Sequence, residues 1–131
     1  MSQISQSSFL RFLLVGGSAT LLHYSIMSAL IYFAGITAGT ASAAGYTVSA
    51  IYNYWANAQF TFGGGHSTAR SLPRFLVTAL AGLGINQIVL LGGIYISLTL
   101  AIAQLVATAT VLLWNYVVNA TWTFARRDHH L

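Results

Sequence analysis

The sequence contains no cysteine, a single proline and very few charged residues. Only 5% of its 131 residues are Asp, Glu, Lys or Arg, whereas 56% are hydrophobic. Soluble domains carry about 25% charged residues, because their surface must be hydrated. So few charged side chains cannot cover a water-facing surface, and the composition therefore predicts a membrane protein. The absence of cysteine also excludes disulfides and thiol chemistry.

Acidic residues are almost missing. Asp128, near the C-terminus, is the only Asp or Glu in the sequence. No carboxylate can therefore lie within a membrane span to carry a coupling proton, bind sodium or act as a general base. The sequence also has no cluster of metal ligands, no Ser-His-Asp set and no nucleotide-binding motif. We therefore expect no enzyme, no metal, no other cofactor and no proton-driven multidrug exporter.

Long apolar segments make up most of the chain. A helix that crosses a bilayer needs about 20 mainly apolar residues. Four such segments are present, at residues 9–34, 41–62, 74–95 and 99–124. A polar linker at 63–73 separates the second from the third, and Pro73 stands where a helix can begin. We predict an all-α membrane protein with four transmembrane helices.

The basic residues indicate the orientation. All five are arginines: Arg11, Arg70, Arg74, Arg126 and Arg127. They lie in the N-terminal segment, the linker and the C-terminal tail, whereas the two short loops, near 35–40 and 97–99, have none. Basic residues favour the cytoplasmic side, so both termini and the linker are predicted to be cytoplasmic. The net charge of +4 suits anionic lipid head groups, and because the arginines form no continuous basic face, we expect no nucleic-acid partner.

Two parts of the sequence resemble each other: YNYWANAQFTF at 52–62 and WNYVVNATWTF at 114–124. Adding 62 or 63 pairs further residues: Asn53 with Asn115, Asn57 with Asn119, Arg11 with Arg74, and His23 with Asn86. We therefore predict two helical hairpins, at 9–62 and 74–124, that are repeats of each other. Because both begin on the same side, a pseudo-twofold axis along the membrane normal would relate them.

Polar residues recur at helical spacing in the second and fourth spans. In the second span they are Ser42, Tyr46, Ser49, Asn53 and Asn57. Steps of three and four residues place them on one face of a helix. Adding 62 gives Gln104, Thr108, Val111, Asn115 and Asn119, of which four are polar. We expect both faces to point into the bundle, because amides that face lipid would lack hydrogen-bond partners.

Arginines and asparagines together suggest a site for an anionic ligand. Arg11 and Arg74 begin their spans at the membrane level where the asparagine pairs end theirs. Arg forms bidentate, charge-assisted hydrogen bonds with phosphate, and Asn can bond phosphate or sugar oxygens. The predicted contacts are Arg11, Arg74, Asn53, Asn57, Asn115 and Asn119.

A second polar group lies deeper in the predicted membrane. His23, Asn86 and Gln87 lie 12 or 13 residues inward from their arginines, which is about 18 Å along a helix. We predict that they form polar steps near the middle of the bilayer, while Trp55 and Trp114 stack on a sugar. The structural alternatives are helix association through Asn, snorkelling arginines, a core His23 and an interfacial aromatic belt.

The chain resembles the GtrA-like family of small bacterial four-helix membrane proteins over residues 9–124. The resemblance rests on Arg11-Phe12, Asn53…Asn57…Thr61-Phe62, Arg74-Phe75 and Asn115…Asn119…Trp122-Thr123-Phe124. It implies a multi-pass protein of the bacterial cytoplasmic membrane that flips a polyprenyl-phosphate-linked sugar for cell-surface polysaccharide synthesis or modification. Its partners would be that glycolipid and the surrounding membrane lipids, with head-group contacts at Arg11, Arg74, Asn57 and Asn119.

Two other functions remain open. The chain could be an accessory protein that does not transport but anchors or recruits a membrane glycosyltransferase. It could also carry another small anionic or amphipathic solute. Because four helices form a narrow bundle, we expect a homodimer in either case.

Overall fold

The computed structural model describes residues 6–61 and 68–123, which are helical apart from two short loops. The helices are α1 (Gln6–Ala34), α2 (Ala38–Ala56), α3 (Thr68–Tyr95) and α4 (Leu100–Val118). α2 and α4 each continue as one π-helical turn, Asn57–Thr61 and Asn119–Thr123. Neither described range contains a strand, so the all-α prediction is confirmed.

Local sequence determines where the short loops fall. Gly35, with a φ of 69°, follows α1 in the left-handed region that glycine adopts without strain. Ser97, with a φ of 74°, makes the corresponding turn between α3 and α4. The Thr99 hydroxyl accepts a hydrogen bond of 3.2 Å from the Ile102 amide and so caps α4. The turn predicted near 97–99 is therefore confirmed.

α3 begins earlier than the sequence predicts. Residues 68–73, which we predicted to belong to the linker, form the first turns of this helix. Pro73 lies inside α3 as its sixth residue, where its amide cannot donate to the Ala69 carbonyl and its ring crowds that carbonyl. The predicted linker therefore includes the first turns of α3, and its residues 63–67 lie outside the described part of the chain.

Three of the helices are long and apolar enough to cross a membrane: Phe9–Ala34, Ser71–Tyr95 and Leu100–Trp122. α2 is not among them, because its Ser, Thr, Gly and Tyr residues and Asn53 lower its hydropathy. Large apolar side chains cover the outside of the bundle, and Leu21, Leu80 and Leu113 are each about 70% exposed. Apolar surface on this scale requires lipid around it. The chain is therefore a membrane protein.

The four helices form an antiparallel bundle. α1 packs most extensively on α2 and α3 on α4, while the α2–α3 contact is smaller and the α4–α1 contact is the smallest. One end of the bundle, called here the arginine end, holds Arg11, Arg74 and both π-helical turns. The opposite loop end holds the short connections at 35–37 and 96–99.

Glycines allow close approach of helices, and two of the contacts they permit involve α2. A Cβ on Gly45 of α2 would lie 2.5 Å from the His23 carbonyl oxygen of α1. A Cβ on Gly82 of α3 would overlap the Tyr46 hydroxyl of α2. At Gly45 the obstacle is backbone, so any larger residue would push α1 and α2 apart, whereas at Gly82 it would displace the Tyr46 hydroxyl.

Candidate functional site

Four buried polar side chains meet inside the bundle, one from each helix. They are His23 of α1, Ser42 of α2, Asn86 of α3 and Gln104 of α4, and none is more than 4% exposed. We call them the polar cluster. The inward-facing stripe of α2 is confirmed, because all five of its predicted residues are buried.

Hydrogen bonds close a ring within the polar cluster. The Ser42 hydroxyl donates to Gln104 Oε1 (2.6 Å), Gln104 Nε2 donates to Asn86 Oδ1 (2.9 Å), and Asn86 Nδ2 donates to Ser42 Oγ (3.0 Å). His23 Nε2 lies 3.1 Å from the same Ser42 oxygen. Because the Ser42 proton already points to Gln104, only a lone pair remains for His23, and its Nε2 must be the donor.

Further hydrogen bonds extend from this ring. Gln104 Nε2 also donates to the Thr108 hydroxyl (3.2 Å), and Asn86 Nδ2 donates to Gln87 Oε1 (3.1 Å). Gln87 Nε2 in turn donates to the Gly39 carbonyl (3.3 Å). His23, Asn86 and Gln87 therefore join helices in this structure, which is the structural role that polar residues often have in membranes.

A narrow cavity lies between the polar cluster and the arginine end. Its volume is about 40 Å³, which is enough for about three water molecules. Four of the predicted site residues line it: His23, Asn53, Asn86 and Asn115. The structure thus brings together one asparagine from α2, one from α4 and two members of the polar cluster.

The asparagine pairs do not contribute equally to this cavity. Asn57 is fully buried and donates a hydrogen bond to Asn53 Oδ1, but it is not part of the cavity wall. Asn115 is partly buried and contacts the Tyr46 hydroxyl. The side chain of Asn119 lies outside the described part of the structure.

Arg74 holds the end of α4. Its Nη1 donates to the Trp122 carbonyl oxygen (2.7 Å), and its guanidinium carbon lies 5.3 Å from the centroid of the Trp122 ring. A cation there is favoured both by the last carbonyls of the helix and by the ring face. Arg11 is exposed in the first turns of α1. Neither arginine lines the cavity, so they share with Asn53 and Asn115 the same end of the bundle but not a common pocket.

The two tryptophans that we predict to stack on a sugar, Trp55 and Trp114, lie away from the cavity. Trp55 is 53% exposed on the surface of α2. The indole Nε1 of Trp114 donates to the Thr78 carbonyl oxygen (3.1 Å), and its ring is 36% exposed. Both rings therefore occupy the surface where an interfacial aromatic belt would place them.

Two central residues of the cluster, Ser42 and Gln104, were not among the predicted site residues. The signal was present, because both lie on the predicted stripes and adding 62 to the first gives the second. Within the described ranges, no three His, Cys, Asp or Glu side chains come close enough to hold a metal ion. The cavity and the polar cluster offer hydrogen-bond donors and acceptors, whereas the positive charges of Arg11 and Arg74 lie at the arginine end.

Comparison with known families gives one match: the GtrA/DPMS transmembrane domain matches residues 11–124. No curated protein and no solved structure matches the chain significantly. The family match covers both asparagine pairs, both span-initial arginines and the polar cluster.

Proposed function

The chain belongs to the family of GtrA/DPMS transmembrane domains, and we therefore propose that it moves a polyprenyl-phosphate-linked sugar across the bacterial cytoplasmic membrane. The sugar would serve cell-surface polysaccharide synthesis or modification. Family membership indicates a role in handling glycolipid-linked sugars, and GtrA proteins are generally non-catalytic. The observation that carries the flipping proposal is the cavity, which Asn53 and Asn115 line from opposite helices inside a lipid-exposed bundle.

We propose that α2 is the fourth membrane span and that the arginine end faces the cytoplasm. α2 packs along α1, which is long and apolar enough to cross the bilayer. Its serines and Asn53 are buried, and the exposed Thr47 hydroxyl donates to the Ala43 carbonyl of the same helix, so lipid meets mainly apolar side chains such as Val48 and Ile51. Arg11 and Arg74 at one end favour the cytoplasmic side for that end and for both termini.

We also propose that the two hairpins are repeats. Two aromatic contacts support this: Tyr54 lies 4.5 Å from Phe75, and Tyr116 lies 4.6 Å from Phe12, between ring centroids. Adding 62 takes Tyr54 to Tyr116, and adding 63 takes Phe12 to Phe75. The direct hydrogen bond from Ser42 to its counterpart Gln104 is also what a pseudo-twofold axis between them would produce.

In the proposed mechanism, Arg11 and Arg74 attract the phosphate at the arginine end, because guanidinium groups bind phosphate oxygens strongly. Asn57 and Asn119, at the same end, would add amide contacts. Asn53 and Asn115 then hydrogen-bond the sugar as it enters the cavity. The polar cluster lies next along the path.

The side chains of the polar cluster can exchange partners with a passing sugar. Ser42, Asn86 and Gln104 each carry donors and acceptors, as sugar hydroxyls do. Replacing one hydrogen bond by another costs little net free energy. The cavity of about 40 Å³ is well below the roughly 300 Å³ of typical small-molecule sites, so the bundle must widen during transport.

We propose a homodimer and a membrane glycosyltransferase as protein partners. Four helices enclose too little space for a sugar, and a second copy would allow a wider polar path. Cross-linking in native membranes, followed by electrophoresis, should show a species of twice the 14.0 kDa chain mass. A chain that stays monomeric at every protein-to-lipid ratio would contradict the homodimer.

Reconstitution into liposomes tests the flipping proposal. A polyprenyl-phosphate-linked sugar with a labelled head group should cross proteoliposomes faster than empty liposomes. Asn115→Leu should slow it about tenfold, because losing one or two hydrogen bonds to the moving head group raises the barrier by about 1.4 kcal/mol. Gln59→Leu is the matched control, since this amide is exposed on the π-helical turn and lies off the cavity.

The outcomes separate the candidate functions. If the labelled head group crosses liposomes that contain the wild-type protein no faster than it crosses empty liposomes, flipping is refuted. The accessory role beside a glycosyltransferase then remains. If Asn115→Leu and Gln59→Leu transport equally well, the cavity is not on the path.

A further inference from the structure

Two helix contacts that the repeat makes equivalent are packed very differently. Between α2 and α3, the Tyr46 side chain crosses the contact. Its hydroxyl donates to the Ala79 carbonyl oxygen (3.0 Å), and it lies where a Cβ of Gly82 would stand. The α2–α3 contact is therefore filled by a large aromatic side chain.

The same positions between α4 and α1 carry small residues. Adding 62 takes Tyr46 to Thr108, and subtracting 63 takes Ala79 and Gly82 to Gly16 and Ala19. These three residues line the cavity. The space that Tyr46 fills on one side of the bundle is therefore part of the cavity on the other.

Hydrogen bonding follows the same asymmetry. Within the described residues, side-chain bonds from α2 to α3 link Tyr46 to Ala79, Ser42 to Asn86, Gly39 to Gln87 and Tyr54 to Ser71. From α1 to α4, the Tyr24 hydroxyl contacts the Thr108 hydroxyl (2.7 Å) and donates a long bond to the Gln104 carbonyl (3.4 Å). The α4–α1 contact is also the smallest between neighbouring helices. Phe12 and Tyr116 also pack across it, with 4.6 Å between ring centroids, but it remains the contact with the fewest interactions to break, and we expect it to open before the others.

We propose that the α4–α1 contact is the lateral entrance for the glycolipid. The head group passes through it into the cavity, while the prenyl chain stays in lipid. This inference rests on the proposed function. A head group inside the bundle remains bonded to an isoprenoid chain, which gains nothing from polar surroundings. A continuous apolar slot must therefore join the cavity to lipid, and the part of the cavity wall made by α1 and α4 includes apolar residues that can form it: Gly16, Ala19, Val111 and Leu112.

A photo-reactive lipid tests the entrance without relying on transport. A polyprenyl phosphate with a diazirine in its chain, irradiated with the reconstituted protein, should form adducts at residues 16–20 and 111–112, identified by mass spectrometry. Thr108→Tyr, which copies Tyr46 into this contact, should reduce them about tenfold by filling the slot. Thr110→Tyr is the control, because Thr110 is on the same helix but exposed.

A reversible cross-link removes any dependence on how well Thr108→Tyr folds. The chain has no native cysteine, so the pair Gly16→Cys and Leu112→Cys can be joined by a short reducible thiol cross-linker. The control pair is Gly39→Cys and Leu91→Cys, across α2–α3. In both pairs, a Cβ on the glycine would lie 3.4 Å from the leucine Cδ2. Only the α1–α4 link should abolish adducts and transport, and reduction should restore both in the same sample.

The results distinguish this proposal from the flipping proposal. Adducts spread evenly around the bundle or concentrated at α2–α3 would overturn the entrance, as would equal inhibition by the two cross-links. Adducts at α4–α1 without head-group movement would leave the entrance standing and refute flipping. Transport with adducts elsewhere would overturn the entrance and leave the flipping proposal standing.

Discussion

Replacing Ser42 by alanine should weaken the whole bundle, although it removes a single oxygen atom. Ser42 is fully buried, and its hydroxyl makes three hydrogen bonds to side chains of three other helices. Alanine fits the same space, so the packing is kept and the hydrogen bonds are lost. His23, Asn86 and Gln104 would each have one partner fewer inside a bundle that lipid surrounds.

The magnitude follows from the number of bonds. An interhelical hydrogen bond in a membrane contributes about 0.6–1.7 kcal/mol. Three bonds therefore set a range of about 2–5 kcal/mol, and we expect about 2–3 kcal/mol, because the three neighbours can partly satisfy one another. A change of this size is a large fraction of the stability of a small protein.

Reversible unfolding in mixed micelles, followed by circular dichroism, measures this change. Ser28→Ala, at an exposed position of α1, is the matched control and should shift the free energy of unfolding by less than about 0.5 kcal/mol. A double-mutant cycle with Asn86→Leu should give a coupling energy of at least about 0.6 kcal/mol. If Ser42→Ala unfolds like Ser28→Ala, the ring of hydrogen bonds does not hold the helices together and the reasoning is wrong.

Two further substitutions test other contacts. Gly45→Ala should lower the free energy of unfolding by about 1–3 kcal/mol, because its Cβ would lie 2.5 Å from the His23 carbonyl oxygen; Gly17→Ala, with nothing within 4 Å, should cause no loss in the same assay, and equal losses would contradict the close-approach argument. Arg74→Lys keeps the charge but loses the planar group over Trp122, so it should lower stability by less than about 1 kcal/mol and reduce the polyprenyl phosphate that copurifies in detergent, measured by mass spectrometry. Unchanged lipid retention would leave Arg74 with a structural role alone.

Much of the fold could be predicted because the information is local. Apolar length gives the helices, and the recurrence of polar residues every three or four positions gives the face that turns inward. The buried stripe from Ser42 to Asn57 is an example. The start of α3 is not predicted correctly, because proline favours the first turn of a helix, whereas Pro73 is the sixth residue of α3.

The partners of individual side chains could not be predicted in this way. Asn57 bonds Asn53 on its own helix, and Trp114 bonds a backbone carbonyl of α3. A helical period shows which way a side chain points but not which atom stands opposite. That depends on the axial shift and rotation of one helix against another, which follow from packing across the whole contact.

The sequence by itself determined that this protein lies in a membrane, that it is helical and which faces are polar. Composition and spacing along one chain are sufficient for that, because the preference of a residue for lipid, water or the protein interior depends on its own side chain. Only the tertiary structure decided that His23, Ser42, Asn86 and Gln104 form one cluster and that the α2–α3 and α4–α1 contacts differ. A ring of hydrogen bonds and a cavity are properties of several helices at once, and their existence depends on shifts of about an ångström between helices that no single segment encodes.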